Sequence, residues 1–181
     1  MKKIISTKDM VITALLIAFG IIIPTAFGFL RVILPPAFTA TLTAHVPIFI
    51  AMFISPVSAI LTAIGTTLGF LFSGLDPVVT ARAGSHIIFA IVGAYMIKKG
   101  ASITATGIVT ALLHGICEAL TVFLFLSMNW TKGAESSIFE MAFYVTGIGT
   151  VLHHIIDYII AFVLVKALSK TKALKNLPKL F

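Results

Sequence analysis

The stretch DPVVTARAGSHIIFA, residues 76–90, places a permanent cation inside a segment that otherwise has the composition of a membrane-spanning helix. Arg82 and His86 are four residues apart, so both side chains lie on one face of a helix. An ionised side chain at the centre of a lipid-facing helix costs roughly 2.5–3.5 kcal/mol on insertion scales, and such side chains therefore face the interior of a helix bundle. The stretch indicates several membrane helices that enclose polar side chains.

The composition of the whole chain supports this interpretation. Its 181 residues are 59% hydrophobic and 10% charged, with a mean hydropathy of +1.13, whereas soluble domains have roughly 45–50% apolar and 25% charged residues. The net charge of +7 is typical of cytoplasmic loops that contact anionic lipid, and it does not indicate a nucleic-acid partner. The single cysteine rules out a disulfide framework and a CxxC metal motif.

Turn residues divide the chain into six apolar segments, which predict an all-α membrane protein with one integral-membrane domain over residues 1–181. We expect the first segment to be a retained helix, not a cleaved secretory signal, because it is long enough to span the bilayer. The second segment is the weakest helix, since Pro47 interrupts it. The predicted helices cover residues 10–30, 37–54, 56–72, 77–97, 102–128 and 138–168.

The distribution of basic residues predicts the orientation of these helices. With an even number of helices, both termini lie in the cytoplasm of a bacterial cell, and the external loops hold only Arg31 and Lys132 as cations, beside Asp76 and Glu135. The other loops and termini then hold the lysines expected on the cytoplasmic side: Lys2, Lys3, Lys8, Lys98, Lys99, Lys166, Lys170, Lys172, Lys175 and Lys179.

Polar residues on the last three predicted helices form a candidate site in the outer half of the membrane. Arg82 and Glu118 are the natural ion pair, because each would otherwise be an isolated buried charge. Aromatic residues at Phe89, Phe123, Phe125 and Phe143 could supply apolar walls. The candidate substrate-binding residues are Arg82, His86, Glu118, Tyr144 and His153.

Two other interpretations of the polar cluster remain open. The cluster could be structural, with interhelical hydrogen bonds and one ion pair that fix the packing. It could also be a metal or hydrolase site, built from His114, Glu118, His153, His154 and Asp157. The chain has no HExxH motif and no serine in a nucleophile motif. We therefore expect no metal, no cofactor and no enzyme activity in this chain.

Pairs of small residues at i and i+4 let another helix approach closely. Such pairs occur at Gly65 and Gly69 and at Ala90 and Ala94, where packing within the bundle is the favoured interpretation. We expect Ala14 and Ala18 to be the exception, with an outward face that receives helices of another subunit.

Residues 45–74, HVPIFIAMFISPVSAILTAIGTTLGFLFSG, resemble the same region of S components, the substrate-binding membrane subunits of energy-coupling factor (ECF) transporters. Six helices, the Ala14-x-x-x-Ala18 pair, the basic C-terminus and the external polar cluster resemble this family over nearly the whole chain. The resemblance implies a protein that binds a small water-soluble B-vitamin or precursor with high affinity.

The resemblance also implies partners. A membrane-embedded T subunit would contact the first helix at Ala14 and Ala18, and two cytoplasmic ATPase subunits would use the ATP. The chain itself has no GxxxxGK[ST] motif. Family pockets draw on the first external loop, which here corresponds to the region of Pro35 and Pro36, and on helices four to six.

The identity of the vitamin depends on how the charges pair. An Arg82–Glu118 pair leaves a nearly neutral pocket, which favours pyridoxine or hydroxymethylpyrimidine. If Glu118 pairs with a histidine instead, Arg82 can bind a carboxylate, and nicotinate or pantothenate fits better. The alternative function is an autonomous proton- or ion-coupled secondary transporter, although the two halves of the chain show no inverted-repeat symmetry.

Overall fold

The chain is a helical membrane protein, and its computed structural model describes residues 5–35, 37–130 and 137–171. The elements are α1 (Thr7–Ala26), a 3₁₀ turn (Gly28–Leu30), β1 (Arg31–Leu34), β2 (Phe38–Thr41), α2 (Val46–Ile54), α3 (Pro56–Phe72), α4 (Pro77–Lys98), α5 (Ile103–Ser127), a π-helical segment (Glu140–Ile148) and α6 (Gly149–Leu168). The N-termini of α1, α3, α4 and α5 are capped by Ser6, Ser55, Asp76 and Ser102, whose side chains accept backbone N–H groups that have no partner inside the helix.

Within the part of the chain that the structure describes, four helical stretches are long and apolar enough to cross a membrane: Thr7–Ala26, Pro77–Lys98, Ile103–Ser127 and Glu140–Leu168. Helix α3 is a shorter apolar helix of 17 residues. Six spans and cytoplasmic termini therefore stay predictions. The predicted loop positions Lys2, Lys3, Pro36, Lys132, Glu135, Lys172, Lys175 and Lys179 lie outside the described residues.

The second helix was predicted to begin at residue 37, which was wrong. It begins at Val46, because residues on both sides of Pro35 form an antiparallel hairpin. In this hairpin Arg31 pairs with Thr41 and Leu34 pairs with Phe38. The strands are rich in β-branched residues, which favour extended backbone, and the proline pair at 35–36 suits a turn. The hairpin was not predicted because its sequence is as apolar as that of a membrane-spanning helix.

The first helix also ends earlier than predicted, at Ala26 instead of residue 30. Gly28 destabilises a continuing helix, and the chain passes through one 3₁₀ turn into β1. The last predicted helix, residues 138–168, is present with a π-helical first part that pattern analysis did not predict.

Helix α2 forms the centre of the fold. It has only nine residues, too few to cross a bilayer, and eight of them are buried. It packs against α1, α3, α4 and α6. Since its first turn begins directly at His45, the burial of α2 carries this histidine into the middle of the bundle.

Two of the small-residue pairs pack within the bundle as predicted, while the docking role of Ala14 and Ala18 stays a prediction. Ile17 and Ile21 of α1 pack over Gly65 and Gly69 of α3, where an added Cβ would lie 2.8 Å and 2.3 Å from the isoleucine side chains. Ala90 and Ala94 of α4 are buried. In contrast, Ala14 and Ala18 are exposed on the outer face of α1.

Candidate functional site

Arg82 and Glu118 form the ion pair that the sequence predicted. The guanidinium Nη2 of Arg82 donates to Glu118 Oε2 at 2.7 Å, and both side chains are buried. Thr150 of α6 donates its hydroxyl to the same carboxylate oxygen. The pair therefore links α4, α5 and α6 at one point in the interior.

Arg82 also binds the hairpin, which the sequence did not predict. Its Nη1 donates to the carbonyl oxygen of Ala37 at 3.1 Å, and its Nη2 donates to that of Thr39 at 3.1 Å. The guanidinium lies over the ring of Phe38, 5.5 Å from its centroid, a cation–π contact. A permanent cation is stable here because a carboxylate, two carbonyl groups and an aromatic face surround it.

The second oxygen of Glu118 faces two histidines. His86 Nε2 lies 3.2 Å from Oε1, and His114 Nε2 lies 3.3 Å from the same atom. Glu118 thus pairs with Arg82 through one oxygen and contacts His86 through the other, so both partners considered from the sequence lie against the same carboxylate.

Asp157 of α6 organises the start of α2. Its carboxylate accepts the backbone N–H of Thr43 at 2.7 Å and that of His45 at 3.1 Å. It also contacts His45 Nδ1 at 3.1 Å and His153 Nε2 at 2.9 Å. These contacts satisfy the N–H groups that precede α2 and hold Thr43 in its left-handed backbone conformation, with φ of 69°.

All five histidines of the chain lie in one cluster. The ring of His45 is at its centre, 4.7 Å from the rings of His86 and His114 and 4.8 Å from that of His153, centroid to centroid. His154 packs behind His114, with 2.9 Å between the two Nδ1 atoms. His45 was not predicted as a member because the sequence suggested a continuous helix through it. Its position just before Val46-Pro47, a common helix start, was the available signal.

A cavity of about 210 Å³ opens beside this cluster, smaller than pockets for drug-sized ligands, which measure roughly 300–1,000 Å³. Four of the candidate residues line it, together with His45. The hairpin forms one wall and the α3–α4 turn forms another. The aromatic, charged and hydrogen-bonding side chains in the wall include Phe38, Thr39, His45, Phe70, Arg82, His86, Glu118, Thr150 and His153.

The structure does not bring Tyr144 to the cavity. Its side chain is 60% exposed on the outer face of the π-helical segment, against Phe139. In the continuous α-helix expected from the sequence, a spacing of nine residues at roughly 100° per residue would already have put Tyr144 and His153 about 180° apart, on opposite faces. Of the predicted aromatic residues, Phe89 packs on the histidine cluster, while Phe123, Phe125 and Phe143 contact other rings away from the cavity.

Two overlapping groups in the cluster have the donor atoms that a metal ion needs. One comprises His45, His86, His114 and Glu118, and the other comprises His45, His153 and Asp157. His45 belongs to both. The metal site considered from the sequence had other members, since it included His154 and lacked His45.

Apolar helices long enough to cross a membrane, around a partly open cavity whose wall carries buried charged and imidazole side chains, are typical of membrane proteins that bind a small molecule. The chain is similar to the niacin transporter NiaX of Lactococcus lactis subsp. cremoris, with 33% identity over 170 residues, which cover 90% of this chain and 75% of the relative. No protein-family model matches the chain, and neither does a solved structure.

The chain belongs to the family of this relative, the vitamin-specific S components of ECF transporters, and is a multi-pass protein of the cell membrane. The family resemblance drawn from the sequence is confirmed.

Proposed function

We propose that this chain binds a pyridine carboxylate of the niacin class in the cavity beside Arg82 and carries it across the membrane. The observation that supports this most is the coincidence of two findings. The chain is 33% identical to a niacin transporter, and its cavity is small, with an arginine and several imidazoles in its wall. Pyridoxine and hydroxymethylpyrimidine, the first choices from the sequence, have no comparable support, and pantothenate stays a lesser alternative.

The rings and charged groups of the cavity wall have proposed roles in binding. The rings of Phe38 and Phe70 offer apolar surface to a heteroaromatic ring, and His86 and His153 offer hydrogen bonds to its polar atoms. Arg82 and Glu118 set the charge of the wall. Tyr144 has no place in this proposal because it lies on the outer face.

The orientation and partners belong to the same proposal. The cavity lies at the hairpin end of the bundle, which we assign to the outside, and Lys98 lies at the opposite end of α4, which we assign to the cytoplasm together with both termini. Six segments then cross or enter the membrane. A T subunit docks at Ala14 and Ala18, two ATPase subunits use ATP, and this chain binds and reorients without catalysing a reaction.

Calorimetric titration of the full-length chain in mild detergent, purified without chelator, tests the ligand. We expect nicotinate to bind at least about tenfold more tightly than nicotinamide, a difference of about 1.4 kcal/mol, because only nicotinate carries a carboxylate. Nicotinamide is the matched control, with the same ring and size. Tight binding of pyridoxine or hydroxymethylpyrimidine without binding of nicotinate would contradict the proposal.

Reconstitution in liposomes tests the mode of transport. We expect no uptake by the chain alone and ATP-dependent uptake when T and ATPase subunits are present. Uptake by the lone chain that follows a proton or sodium gradient would instead show an autonomous secondary transporter.

A further inference from the structure

Four buried side chains from three separate parts of the chain direct donor atoms to one point. His45 precedes α2, His86 belongs to α4, and His114 and Glu118 belong to α5. One ligand atom from each lies within 4.8 Å of the ligand atoms of the other three. All four residues are buried, and His45, His86 and Glu118 also border the cavity.

Two of these imidazoles already use one ring nitrogen in a contact with a residue outside the group of four. His45 Nδ1 lies 3.1 Å from the Asp157 carboxylate, which leaves its Nε2 available. His114 Nδ1 lies 2.9 Å from His154 Nδ1, which leaves its Nε2 directed at Glu118. Metal-binding histidines in proteins are held in this manner, with one ring nitrogen on the metal and the other hydrogen-bonded to a carboxylate or another acceptor.

A chain of hydrogen bonds fixes the tautomer of His114. The Thr110 hydroxyl lies 2.7 Å from the carbonyl oxygen of Thr106, which can only accept, so the hydroxyl proton points there. Thr110 Oγ1, 3.0 Å from His154 Nε2, therefore accepts from it. Neutral His154 then accepts at Nδ1 from His114 Nδ1–H.

The consequence is that an acceptor nitrogen of His114 faces a carboxylate oxygen of Glu118. Neutral His114 directs the lone pair of Nε2 at Glu118 Oε1, 3.3 Å away. Among the described residues, this buried Nε2 has no hydrogen-bond partner. Two acceptors that face each other inside a protein repel unless a proton or a metal cation lies between them.

We propose that His45, His86, His114 and Glu118 bind a divalent first-row transition-metal ion, with Zn²⁺ as the best fit. Three imidazole nitrogens and one carboxylate oxygen are a ligand set that Zn²⁺ accepts, and Zn–N bonds of about 2.0–2.1 Å separate tetrahedral donors by about 3.4 Å. Two donor pairs already meet this spacing, since Glu118 Oε1 lies 3.2 Å from His86 Nε2 and 3.3 Å from His114 Nε2. All four donor atoms lie within 4.8 Å of one another, so binding requires the wider pairs to come closer together. This departs from the sequence expectation of no metal, which did not consider His45.

The ion also changes how the cavity receives an anion, and this step rests on the proposed niacin-class ligand. With neutral histidines, Arg82 is outnumbered by Glu118 and Asp157, so the cluster carries a net charge of −1. A carboxylate ligand is repelled by that charge. A bound divalent cation makes the net charge +1, and one carboxylate then neutralises it.

Metal analysis of the full-length chain tests the site without any ligand. The chain is purified in mild detergent through a tag that contains no histidine, stripped with a chelator and titrated with Zn²⁺ alone. We expect one equivalent of tightly bound Zn²⁺, measured by atomic spectroscopy and calorimetry. Replacement by Co²⁺ should give visible absorption bands of a nitrogen–oxygen site. If neither Zn²⁺ nor Co²⁺ binds at one equivalent, the proposal is overturned. A proton between His114 and Glu118 would then be the cation that separates the two acceptors.

Matched variants locate the ion. We expect His86→Gln and His114→Gln each to weaken Zn²⁺ binding at least about tenfold. His153→Gln is the control, because His153 lines the same cavity but belongs only to the second group. A variant counts as evidence only if it remains monodisperse. If one variant does not fold, the Co²⁺ spectrum of the unmodified chain still tests the site. Loss of Zn²⁺ binding in His153→Gln alone, or its retention in both other variants, would overturn this ligand set.

A separate measurement tests the link to the substrate. If the ion neutralises the carboxylate, nicotinate affinity should fall at least about tenfold after chelation and return with Zn²⁺. One equivalent of Zn²⁺ with no effect of chelation on nicotinate would overturn the role in anion binding while the ion site stands. One equivalent of Zn²⁺ without nicotinate binding under any condition would instead contradict the proposed niacin-class ligand.

Discussion

Arg82 shows how one residue can serve both the fold and the cavity. Its contacts reach β2, the carbonyl oxygen of Ala37 before it, and Glu118 of α5, so a single guanidinium holds the hairpin against the bundle. The same side chain forms part of the cavity wall. Stability and binding can therefore be separated only by changing both members of the ion pair.

The first prediction concerns this pair. Arg82→Gln or Glu118→Gln alone leaves a buried charge without its partner, which costs on the order of 3–5 kcal/mol, so each single variant should melt well below the unmodified chain. The double variant should recover much of this stability. Ligand affinity should stay at least about tenfold reduced in the double variant. Melting temperature and calorimetric affinity measured on all three variants check this, and full recovery of affinity would show that the pair has a structural role only.

The second prediction concerns Asp157, which accepts two backbone N–H groups ahead of α2. Asp157→Ala leaves these groups and His45 Nδ1 without an acceptor in the interior. Hydrogen bonds to charged groups contribute about 1.5–3 kcal/mol each, so a loss of at least about 3 kcal/mol is expected. Thermal unfolding in detergent measures it. Glu140→Gln is the control, since Glu140 is an exposed acid; an equal loss there would show that the effect is not specific to Asp157.

At the scale of single residues, the sequence predicted the contact between two charged side chains that are each costly to bury alone. Arg82 and Glu118 are costly alone in a membrane, and His86 follows Arg82 by one helical turn, so their meeting follows from energetics and helix geometry. His45 and the backbone carbonyls of β2 could not be found in this manner, because their position depends on a hairpin. Tyr144 was misplaced although its angular separation from His153 was available from the sequence.

Among the elements, the hairpin and α2 were least predictable. Residues 31–54 are uniformly apolar apart from a few polar side chains, and hydropathy alone does not distinguish a strand from a helix in such a segment. Helices α3, α4 and α5 were predicted within about two residues, because serine or aspartate caps and prolines mark their starts.

The third prediction tests the contact between α1 and α3. Gly69→Leu places a side chain where Ile21 now packs, since even a Cβ would lie 2.3 Å from it. Overpacking of this kind typically costs about 1–3 kcal/mol, and the melting temperature should fall. Ala18→Leu is the matched control on the neighbouring helix, because Ala18 is exposed and its replacement should leave the melting temperature unchanged. Equal destabilisation by both changes would place Ala18 inside the packing.

For the whole molecule, the fourth prediction separates binding from assembly. Ala14→Trp and Ala18→Trp change the outer face of α1 and should abolish transport and co-purification with a T subunit. Nicotinate affinity should stay nearly unchanged, because neither alanine lines the cavity. Pull-down and calorimetry on the same preparations measure the two properties. A parallel loss of affinity and transport would show that these alanines do not form a docking face.

The whole-molecule architecture also explains why family membership was easier to infer than the ligand. Membrane location follows from composition, and the family follows from features spread along the chain. The ligand depends on a few polar atoms around His45, and their arrangement comes from the hairpin and the short α2 helix.

The gathering of all five imidazoles in one place makes the protein its own spectroscopic probe. If histidine alone carries ¹⁵N, every side-chain signal in the spectrum originates from the cluster, with no background from the surface. Protonation, a bound ion, or a ligand in the cavity each shift these signals in a different pattern. A single labelled sample can thus follow the interior of this membrane protein through each step of binding, without substitution of any residue.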